Sequence, residues 1–175
     1  MNTIIAGLLA AAAVSTVGGE GAQPFVVKAD TDRLGETTLL FGNSPNQVKV
    51  SSADTNGRFA LFEYAGHTRG GPPLHVNMSQ DEIFFIRAGD YLFQVGDQKH
   101  RLGAGDTIFL PRGIPHTFSQ LSAEGRMVFM FTPAGDMEAF FRDQGKLQGP
   151  PSPKAAADMF ASHGMKVVGP PLPMD

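Results

Sequence analysis

The sequence predicts an all-β fold, an antiparallel sandwich or barrel, with a short helical tail at its C-terminal end. Two observations lead to this prediction. Short segments of alternating apolar and polar residues follow one another along most of the chain, and turn-forming residues separate them at regular intervals. Beyond Pro133, the apolar residues recur about every 3.6 residues instead of every second one, which indicates helices.

The first strands are predicted from alternation and from the turns between them. The expected strands are 24–28, 36–41, 47–51 and 58–64. Residues 54–57, Asp-Thr-Asn-Gly, form a predicted turn ahead of the last of these strands. The clean alternation of 47–51 indicates a strand with one face in contact with solvent.

The middle of the chain continues as strands. The apolar run Ile83-Phe84-Phe85-Ile86 is typical of a strand that is buried on both faces. Further strands are expected at 91–95 and 98–102, on either side of a tight turn at Gly96-Asp97, and a last long strand is expected at 126–131.

The tail contains two predicted helices. Asp136 is a suitable N-cap for the first, and Gly145 is a suitable end. Its apolar residues Met137, Phe140 and Phe141 lie on one face and either pack against the barrel or form a moving lid. The second helix is expected at 153–162, between Ser152 as N-cap and Gly164 as stop, and an extended segment follows at 165–171.

Composition limits the chemistry that is open to the protein. The 175 residues carry a net charge of −3 with scattered basic residues, which argues against nucleic acid as a partner. The chain has no cysteine, so any metal site must use the five histidines and the carboxylates.

Residues 1–22 have two interpretations. The apolar, alanine-rich run Ile4 to Val17 has the length of a signal-peptide core, which predicts a periplasmic or secreted protein, although no basic flank precedes it. The run is too short to span a bilayer comfortably, so no membrane span is expected. The alternative is an ordered helix packed on the barrel or on a partner chain, in a cytoplasmic protein.

Two stretches supply the candidate site residues. In the first, His75 and Asn77 are two residues apart and share one strand face, and Glu82 shares a face with Phe84. A carboxylate on an apolar interior face needs a partner such as a cation. In the second, the turn Pro111-Arg112-Gly113, with Gly113 able to adopt a positive φ, leads to His116 at the start of a returning strand.

These stretches resemble the two motifs of the cupin superfamily, G-x5-H-x-H-x3/4-E-x6-G and G-x5-P-x-G-x2-H-x3-N. The first stretch reads G-x4-H-x-N-x4-E-x6-G from Gly70, and the second reads G-x5-P-x-G-x2-H-x3-Q from Gly105. The departures are Asn77 in place of a second histidine and Gln120 in place of asparagine. The tail is similar to that of single-domain bacterial quercetin-dioxygenase-like cupins, in its F-F-R helix and its closing V-G-P-P.

The resemblance implies a cupin barrel, a jelly-roll or double-stranded β-helix, at 23–134, with the helical tail at 135–175. It also implies that His75, Glu82 and His116 converge inside the barrel and bind a divalent transition metal (Fe, Mn, Ni, Co or Zn). Asn77 is a further candidate: it binds the metal weakly, holds a metal-bound water or hydrogen-bonds to Glu82. The alternative is a metal-free polar cluster in which Glu82 bridges the two histidines.

Two functions remain open at this point. The first is a metal-dependent dioxygenase that acts on a hydrophobic aromatic or enolisable small molecule, with Glu82 as catalytic base. The second is a metal-independent or zinc cupin that acts as an isomerase, a cyclase or a binding protein. Phe84, Phe93 and Phe118 are predicted to line the substrate pocket. His67, His100 and His163 are expected in surface or loop positions, with His67 near the barrel mouth, and a homodimer is expected to cover the second face of 83–86.

Overall fold

The protein is described here from a computed structural model, which covers residues 23–174 and forms a barrel of two antiparallel sheets. The predicted all-β fold with a short helical tail is confirmed. Eleven strands occur within the described residues: β1 (Thr38–Leu40), β2 (Ser44–Val50), β3 (Ala60–Gly66), β4 (Pro73–Asn77), β5 (Asp81–Ala88), β6 (Tyr91–Val95), β7 (Gln98–Leu102), β8 (Thr107–Leu110), β9 (His116–Gln120), β10 (Gly125–Thr132) and β11 (Met165–Pro171).

From β3 onward the chain crosses repeatedly between the two sheets, as in a jelly roll. The six-stranded sheet has the order β1-β2-β3-β10-β5-β8, and the five-stranded sheet has the order β11-β4-β9-β6-β7. Each motif stretch contributes one strand to each sheet: β4 and β9 are neighbours in one sheet, and β5 and β8 are neighbours in the other, so His75 and His116 face Glu82 across the barrel interior. The predicted signal peptide or helix at 1–22 lies outside the described residues.

The strands between tight turns are where the sequence predicts them. Both β6 and β7 have the predicted bounds, and Gly96 between them has a φ of 56°. Gly113 likewise has the expected positive φ, 79°, in the turn before β9. Glycine adopts this left-handed region without steric cost, so these turns direct the chain back at once.

The strand predicted at 24–28 is wrong. These residues belong to the described range, but their backbone is coil that pairs with no strand there. Side chains from other parts of the chain contact this segment and the residues after it. Lys49 Nζ donates to the carbonyls of Lys28 and Thr31, and the Arg33 guanidinium lies 4.3 Å from the centre of the Phe25 ring. Local alternation predicts a strand only where a neighbouring strand is available to pair with it.

Within the single chain, residues 83–86 are buried on one face only, contrary to the predicted burial on both faces. Glu82, Phe84 and Ile86 face the interior and are buried, whereas Phe85 on the outer face is 42% exposed. The sheet is antiparallel, and antiparallel sheets commonly keep one face in contact with water. The single chain leaves Phe85 uncovered on the face that the expected homodimer would cover, so the homodimer stays a prediction, which sedimentation equilibrium will check.

Aromatic side chains fill the centre of the barrel. Phe62, Phe129 and Phe84 are directly opposite one another on β3, β10 and β5, and their rings stack with centroids 5.2 Å apart in both pairs. Burying each phenylalanine contributes roughly 2–3 kcal/mol to stability. This row of rings fixes the register of β5 and, with it, the position of Glu82.

Two helices cover one end of the barrel, α1 (Met137–Gly145) and α2 (Pro153–Ser162), with the predicted bounds. The stripe Met137, Phe140 and Phe141 is buried against the barrel. The Ser152 hydroxyl caps α2 by accepting from Ala155 N, as predicted. Neither helix, within the described residues, has the length and apolar character needed to cross a bilayer.

The ends of the helices are joined by His163. Its ring nitrogens contact Asp136 Oδ2 at 2.6 Å and Asp143 Oδ2 at 3.3 Å, and the side chain is buried. The predicted capping by Asp136 is therefore wrong in detail, since its carboxylate contacts His163 and makes no capping hydrogen bond. After His163 the chain enters β11, which pairs with β4 directly beside His75.

Candidate metal centre

Three buried side chains, His75, Glu82 and His116, meet in the barrel interior. Their candidate ligand atoms all lie within 4.8 Å of one another. His75 on β4 and His116 on β9 are opposite each other in the strand register, with ring centroids 4.6 Å apart, and Glu82 reaches them from β5 in the other sheet. The structure thus brings together the three residues that the sequence predicts, and the group is of a kind that can hold a metal ion.

Main-chain carbonyls fix the orientation of both imidazoles. His75 Nδ1 lies 2.9 Å from the Pro73 carbonyl oxygen, and His116 Nδ1 lies 2.8 Å from the Ile114 carbonyl oxygen. A carbonyl can only accept a hydrogen bond, so each Nδ1 carries the proton and each neutral ring keeps a lone pair on Nε2. This outer-shell arrangement is typical of metal-binding histidines.

The arrangement of atoms at the centre suits a cation. His116 Nε2 lies 3.4 Å from Glu82 Oε2, and this nitrogen is fully buried with no hydrogen-bond partner among the described residues. A lone pair and a carboxylate oxygen that face each other in an apolar interior repel unless a cation or a proton lies between them. The residues present therefore fit a divalent metal ion.

Burial shifts the protonation equilibria of the centre in favour of neutral groups. Burial, followed by the neighbouring His116, lowers the pKa of His75 to about 3, against the effect of its hydrogen bond to the Pro73 carbonyl. Burial also raises the pKa of Glu82, against the effects of His116 and Asn77. His75 is therefore neutral at pH 7, which is the state that a metal ligand requires.

Acidification from about pH 6.5 to about pH 4 is expected to lower the free energy of unfolding of the metal-free protein through His75. The folded state keeps His75 neutral down to its pKa of about 3, whereas the unfolded chain takes up the proton near pH 6.5. The unfolded state binds more protons in this window, so stability falls with falling pH, by at most about 1.4 kcal/mol per pH unit. Urea unfolding at a series of pH values measures this slope.

Glu82 changes the pH dependence of the free energy of unfolding in the opposite direction to His75. Its raised pKa means that the folded carboxyl group keeps its proton to a higher pH than the unfolded one, so its contribution to stability falls as the pH rises above about 4.5. Glu82→Gln should therefore steepen the loss of stability on acidification, and His75→Gln should flatten it. If stability depends on pH in His75→Gln as it does in the unmodified protein, the slope does not come from His75. His100→Gln on the exposed strand β7 is the control.

Asn77 lies two residues after His75 on the same face of β4, and its side chain is next to that of Glu82. It is 0% exposed, and its Nδ2 donates to Glu82 Oε2 at 3.4 Å. Of the three roles that the sequence leaves open, the hydrogen bond to Glu82 is present. The amide also steadies the ionised carboxylate, since it lowers the pKa of Glu82 against the effect of burial.

An apolar cavity opens next to the centre. It contains about 620 Å³ of space that atoms do not fill, part of it in contact with solvent. Phe84 and Phe118 line it, as the sequence predicts, but Phe93 does not. Phe93 is fully buried beside these two rings, with centroid distances of 5.2 Å to Phe84 and 5.5 Å to Phe118.

The sequence analysis does not predict that aromatic residues of the two helices line the cavity. Phe140 of α1 and Phe160 of α2 both line it, with centroids 4.9 Å apart, and the Phe160 ring lies 5.1 Å from the His75 ring. The apolar stripe of α1 indicates a buried face but not what that face covers. No sequence pattern places Phe160 above His75, because the linker before α2 leaves the direction of that helix open.

The other three histidines lie away from the centre. His67 is exposed and contacts Glu124, and His100 is on the exposed β7. His163 is buried between the helices, contrary to the expected surface or loop position, because Asp136 and Asp143 supply carboxylate partners on both sides of its ring.

Comparisons with known proteins agree with this fold. Residues 60–133, from the start of β3 to just beyond β10, match the family model described as Cupin domain. The barrel is a cupin barrel. The matched segment contains His75, Glu82 and His116, and the cupin barrel is completed outside it by β1, β2 and the β11 strand of the tail.

Solved structures share this cupin fold at low sequence identity. KdgF from Halomonas sp. has a TM-score of 0.56 and 14% identity, over 66% of this chain and 98% of that protein. An RmlC-like cupin from Shewanella frigidimarina has a TM-score of 0.54 and 16% identity, over 64% of this chain and 93% of that one. At such identities the likeness shows the fold alone.

One relative is similar in sequence over a shorter segment. An uncharacterized protein of Streptomyces coelicolor is 29% identical over 55 residues, which is 31% of this chain. The match spans about half, 52%, of the length of that relative.

Proposed function

We propose that this cupin is a metal-dependent dioxygenase that acts on a hydrophobic aromatic or enolisable small molecule. One observation carries the proposal: two imidazole Nε2 lone pairs, fixed by main-chain carbonyls, and one carboxylate converge beside an apolar cavity. A set of two imidazoles and one carboxylate suits Fe, Mn, Co, Ni or Zn and leaves coordination positions for other ligands.

His75, Glu82 and His116 would hold the metal. A divalent ion bound there supplies Lewis acidity toward an oxygen of the substrate. The imidazoles need no rearrangement to bind, because their carbonyl partners already fix both tautomers. This preorganisation supports a catalytic use of the centre.

The cavity walls favour a flat apolar substrate. Phe84, Phe118, Phe140 and Phe160 present aromatic faces and edges, which exclude water and pack against a ring. Three polar side chains outside the centre also line the cavity: Tyr64, Thr117 and Gln144. The Thr117 hydroxyl donates to the Pro72 carbonyl at 2.7 Å, so polar recognition of the substrate falls on the centre, Tyr64 and Gln144.

Glu82 is the residue that we assign to proton transfer. Burial raises the pKa of its carboxyl group, which makes the carboxylate a stronger base toward a substrate hydroxyl. Asn77 donates to Glu82 Oε2 and holds the carboxylate in position during this exchange. The proton is taken up on a carboxylate oxygen within the water-poor barrel interior.

Metal analysis and turnover test this proposal together. Protein purified without chelators should contain close to one transition-metal ion per chain and should consume a flavonol in air but not under anaerobic conditions. Glu82→Gln should reduce the turnover number about 10²–10⁴-fold, the range typical of a lost general base. Glu124→Gln, at an exposed carboxylate, is the matched control. No flavonol turnover with any divalent metal would count against the dioxygenase.

A second function is favoured by the contact between Glu82 and His116. Their facing atoms are 3.4 Å apart, and a single proton held between them would satisfy both without a metal, given the raised pKa of Glu82. The centre would then serve acid–base chemistry of an isomerase or cyclase, or bind a small molecule. Metal-free protein that stays fully active after chelation would favour this function over the first.

A further inference from the structure

The turn between β8 and β9 contacts all three strands that carry the residues of the centre, β4, β5 and β9. Gly113 N donates to the carbonyl of Asn77 on β4 at 2.9 Å. The carbonyl of Ile114 lies 2.8 Å from Nδ1 of His116, the first residue of β9. The contact with β5 is made by the side chain of Arg112, the one charged residue of the turn.

Arg112 contacts β5 through a carboxylate next to the centre. Its Nε and Nη2 donate to the two oxygens of Asp81 at 3.0 and 2.8 Å, and its backbone N donates to Asp81 Oδ1 at 2.9 Å. Asp81 directly precedes Glu82 in the chain. Nη2 also donates to the carbonyl of Thr132 at 3.2 Å, so one side chain joins the turn to the ends of β5 and β10.

The pairing of β8 with β5 cannot make this connection. Leu110 is the partner of Glu82 in the strand register, and the next residue, Pro111, has no backbone N–H with which to continue the ladder. The forked hydrogen bonds to Asp81 begin where this pairing ends. A bidentate pair of arginine and carboxylate fixes orientation as well as distance, so it sets how the start of β5 lies against the turn before His116.

Resting on the proposed metal centre, we propose that Arg112 is a positioning residue, which holds Glu82 and His116 at metal-binding distance through its fork on Asp81. Glu82 Oε2 and His116 Nε2 are 3.4 Å apart, but β5 and β9 belong to different sheets, so within residues 23–174 no strand pairing joins them. Arg112 and Asp81 are both partly exposed, and such pairs contribute little to stability. Loss of the fork should therefore leave the barrel folded and loosen the centre.

The sign of the effect on metal binding distinguishes positioning from charge. Arg112 is a cation, so by charge alone its removal should strengthen the binding of a divalent ion, and removal of the Asp81 carboxylate should weaken it. If the pair positions the ligands, both removals weaken binding. Arg112→Gln is therefore the decisive variant.

Titration of the metal-free full chain with Co²⁺, followed by calorimetry and visible absorption, tests the proposal. Arg112→Gln and Asp81→Asn should each weaken Co²⁺ binding about tenfold or more, at the lower end of the effect of an outer-shell partner. The double variant should be weaker than either single variant by less than about threefold, because the two side chains act as one unit. The absorption bands of bound Co²⁺ should also change in Arg112→Gln, since they report the geometry of the ligands.

Arg33 and Asp54 provide the matched control. They form a second forked pair, with distances of 3.2 and 2.9 Å, and their side chains are 36% and 17% exposed, against 47% and 24% for Arg112 and Asp81. This pair joins segments before β1 and after β2, which carry no residue of the centre. Arg33→Gln should change Co²⁺ binding less than about twofold. Weakening equal to that of Arg112→Gln would show a general loosening of the barrel and would overturn the inference.

The remaining outcomes separate this inference from the proposed function. If Arg112→Gln binds Co²⁺ as tightly as the unmodified protein or more tightly, the inference is overturned while the metal centre stands. Should Arg112→Gln fail to fold, Arg112→Lys decides, because it keeps the charge but not the fork: weakening of about threefold or more supports the inference, and unchanged affinity overturns it. If Arg112→Gln weakens Co²⁺ binding but the unmodified protein consumes no flavonol, the inference stands and the dioxygenase falls. If the unmodified protein binds no Co²⁺, both fall.

Discussion

Replacing His116 with alanine is expected to weaken the binding of divalent metal at least about 100-fold and to leave the barrel folded. Loss of an outer-shell partner typically weakens metal binding 10–100-fold, so loss of a ligand should exceed this range. His116 supplies one of two imidazoles, and Glu82 is left without the nitrogen that it faces at 3.4 Å. Calorimetric titration with metal, together with metal content after purification, measures the effect.

Circular dichroism and thermal unfolding show whether the His116→Ala protein remains folded. His100→Ala removes an imidazole from the exposed strand β7 and should bind metal as the unmodified protein does. Equal, near-zero metal content in the unmodified protein and in His116→Ala would refute the metalloenzyme proposal and leave the metal-independent function standing.

Gln120→Leu is expected to lower the free energy of unfolding by about 3–5 kcal/mol, the largest effect on stability that we predict. Gln120 is fully buried, and its Nε2 donates to the carbonyls of Gly66, Ser122 and Ala123 at 3.1–3.3 Å. Tyr91 donates to its Oε1 at 3.4 Å. Each buried group left without a partner costs about 1–3 kcal/mol, and some of the carbonyls recover a partner by relaxation.

Urea unfolding measures this loss, and Gln94→Leu on the neighbouring strand β6 is the matched control. Gln94 is half-buried and donates to the carbonyl of Gly96, so its replacement should cost less than about 1 kcal/mol. Equal losses in the two variants would contradict the role of Gln120. Gly66 leaves room for the Gln120 side chain, since a methyl group at that position would lie 1.8 Å from Gln120 Oε1.

The parts of this fold that can be predicted from the sequence are those with local causes. The bounds of β6 and β7 follow from a glycine turn between two alternating runs, and those of α2 follow from Ser152 and Gly164 at its ends. The convergence of His75, Glu82 and His116 was predicted from the cupin resemblance, and only their strand faces follow from alternation.

The parts that cannot be predicted depend on distant partners. Residues 24–28 alternate as a strand does but have no neighbouring strand. Phe93 is paired with Phe118 in the strand register but does not reach the cavity. Asp136 has the sequence position of a helix cap, yet its carboxylate contacts His163 from the far end of α2. Each of these outcomes is decided by packing between segments that are far apart in the chain.

The two histidines and Glu82 differ in whether a substitution can remove the group that orients them. The acceptors that orient the imidazoles are the carbonyls of residues 73 and 114, which are present whatever side chains those positions carry. The neighbour that holds Glu82 is instead the amide of Asn77, which a single codon change removes. A substitution at residue 77 therefore removes a hydrogen bond to Glu82, whereas a substitution at residue 73 or 114 leaves the carbonyl acceptor of each imidazole in place.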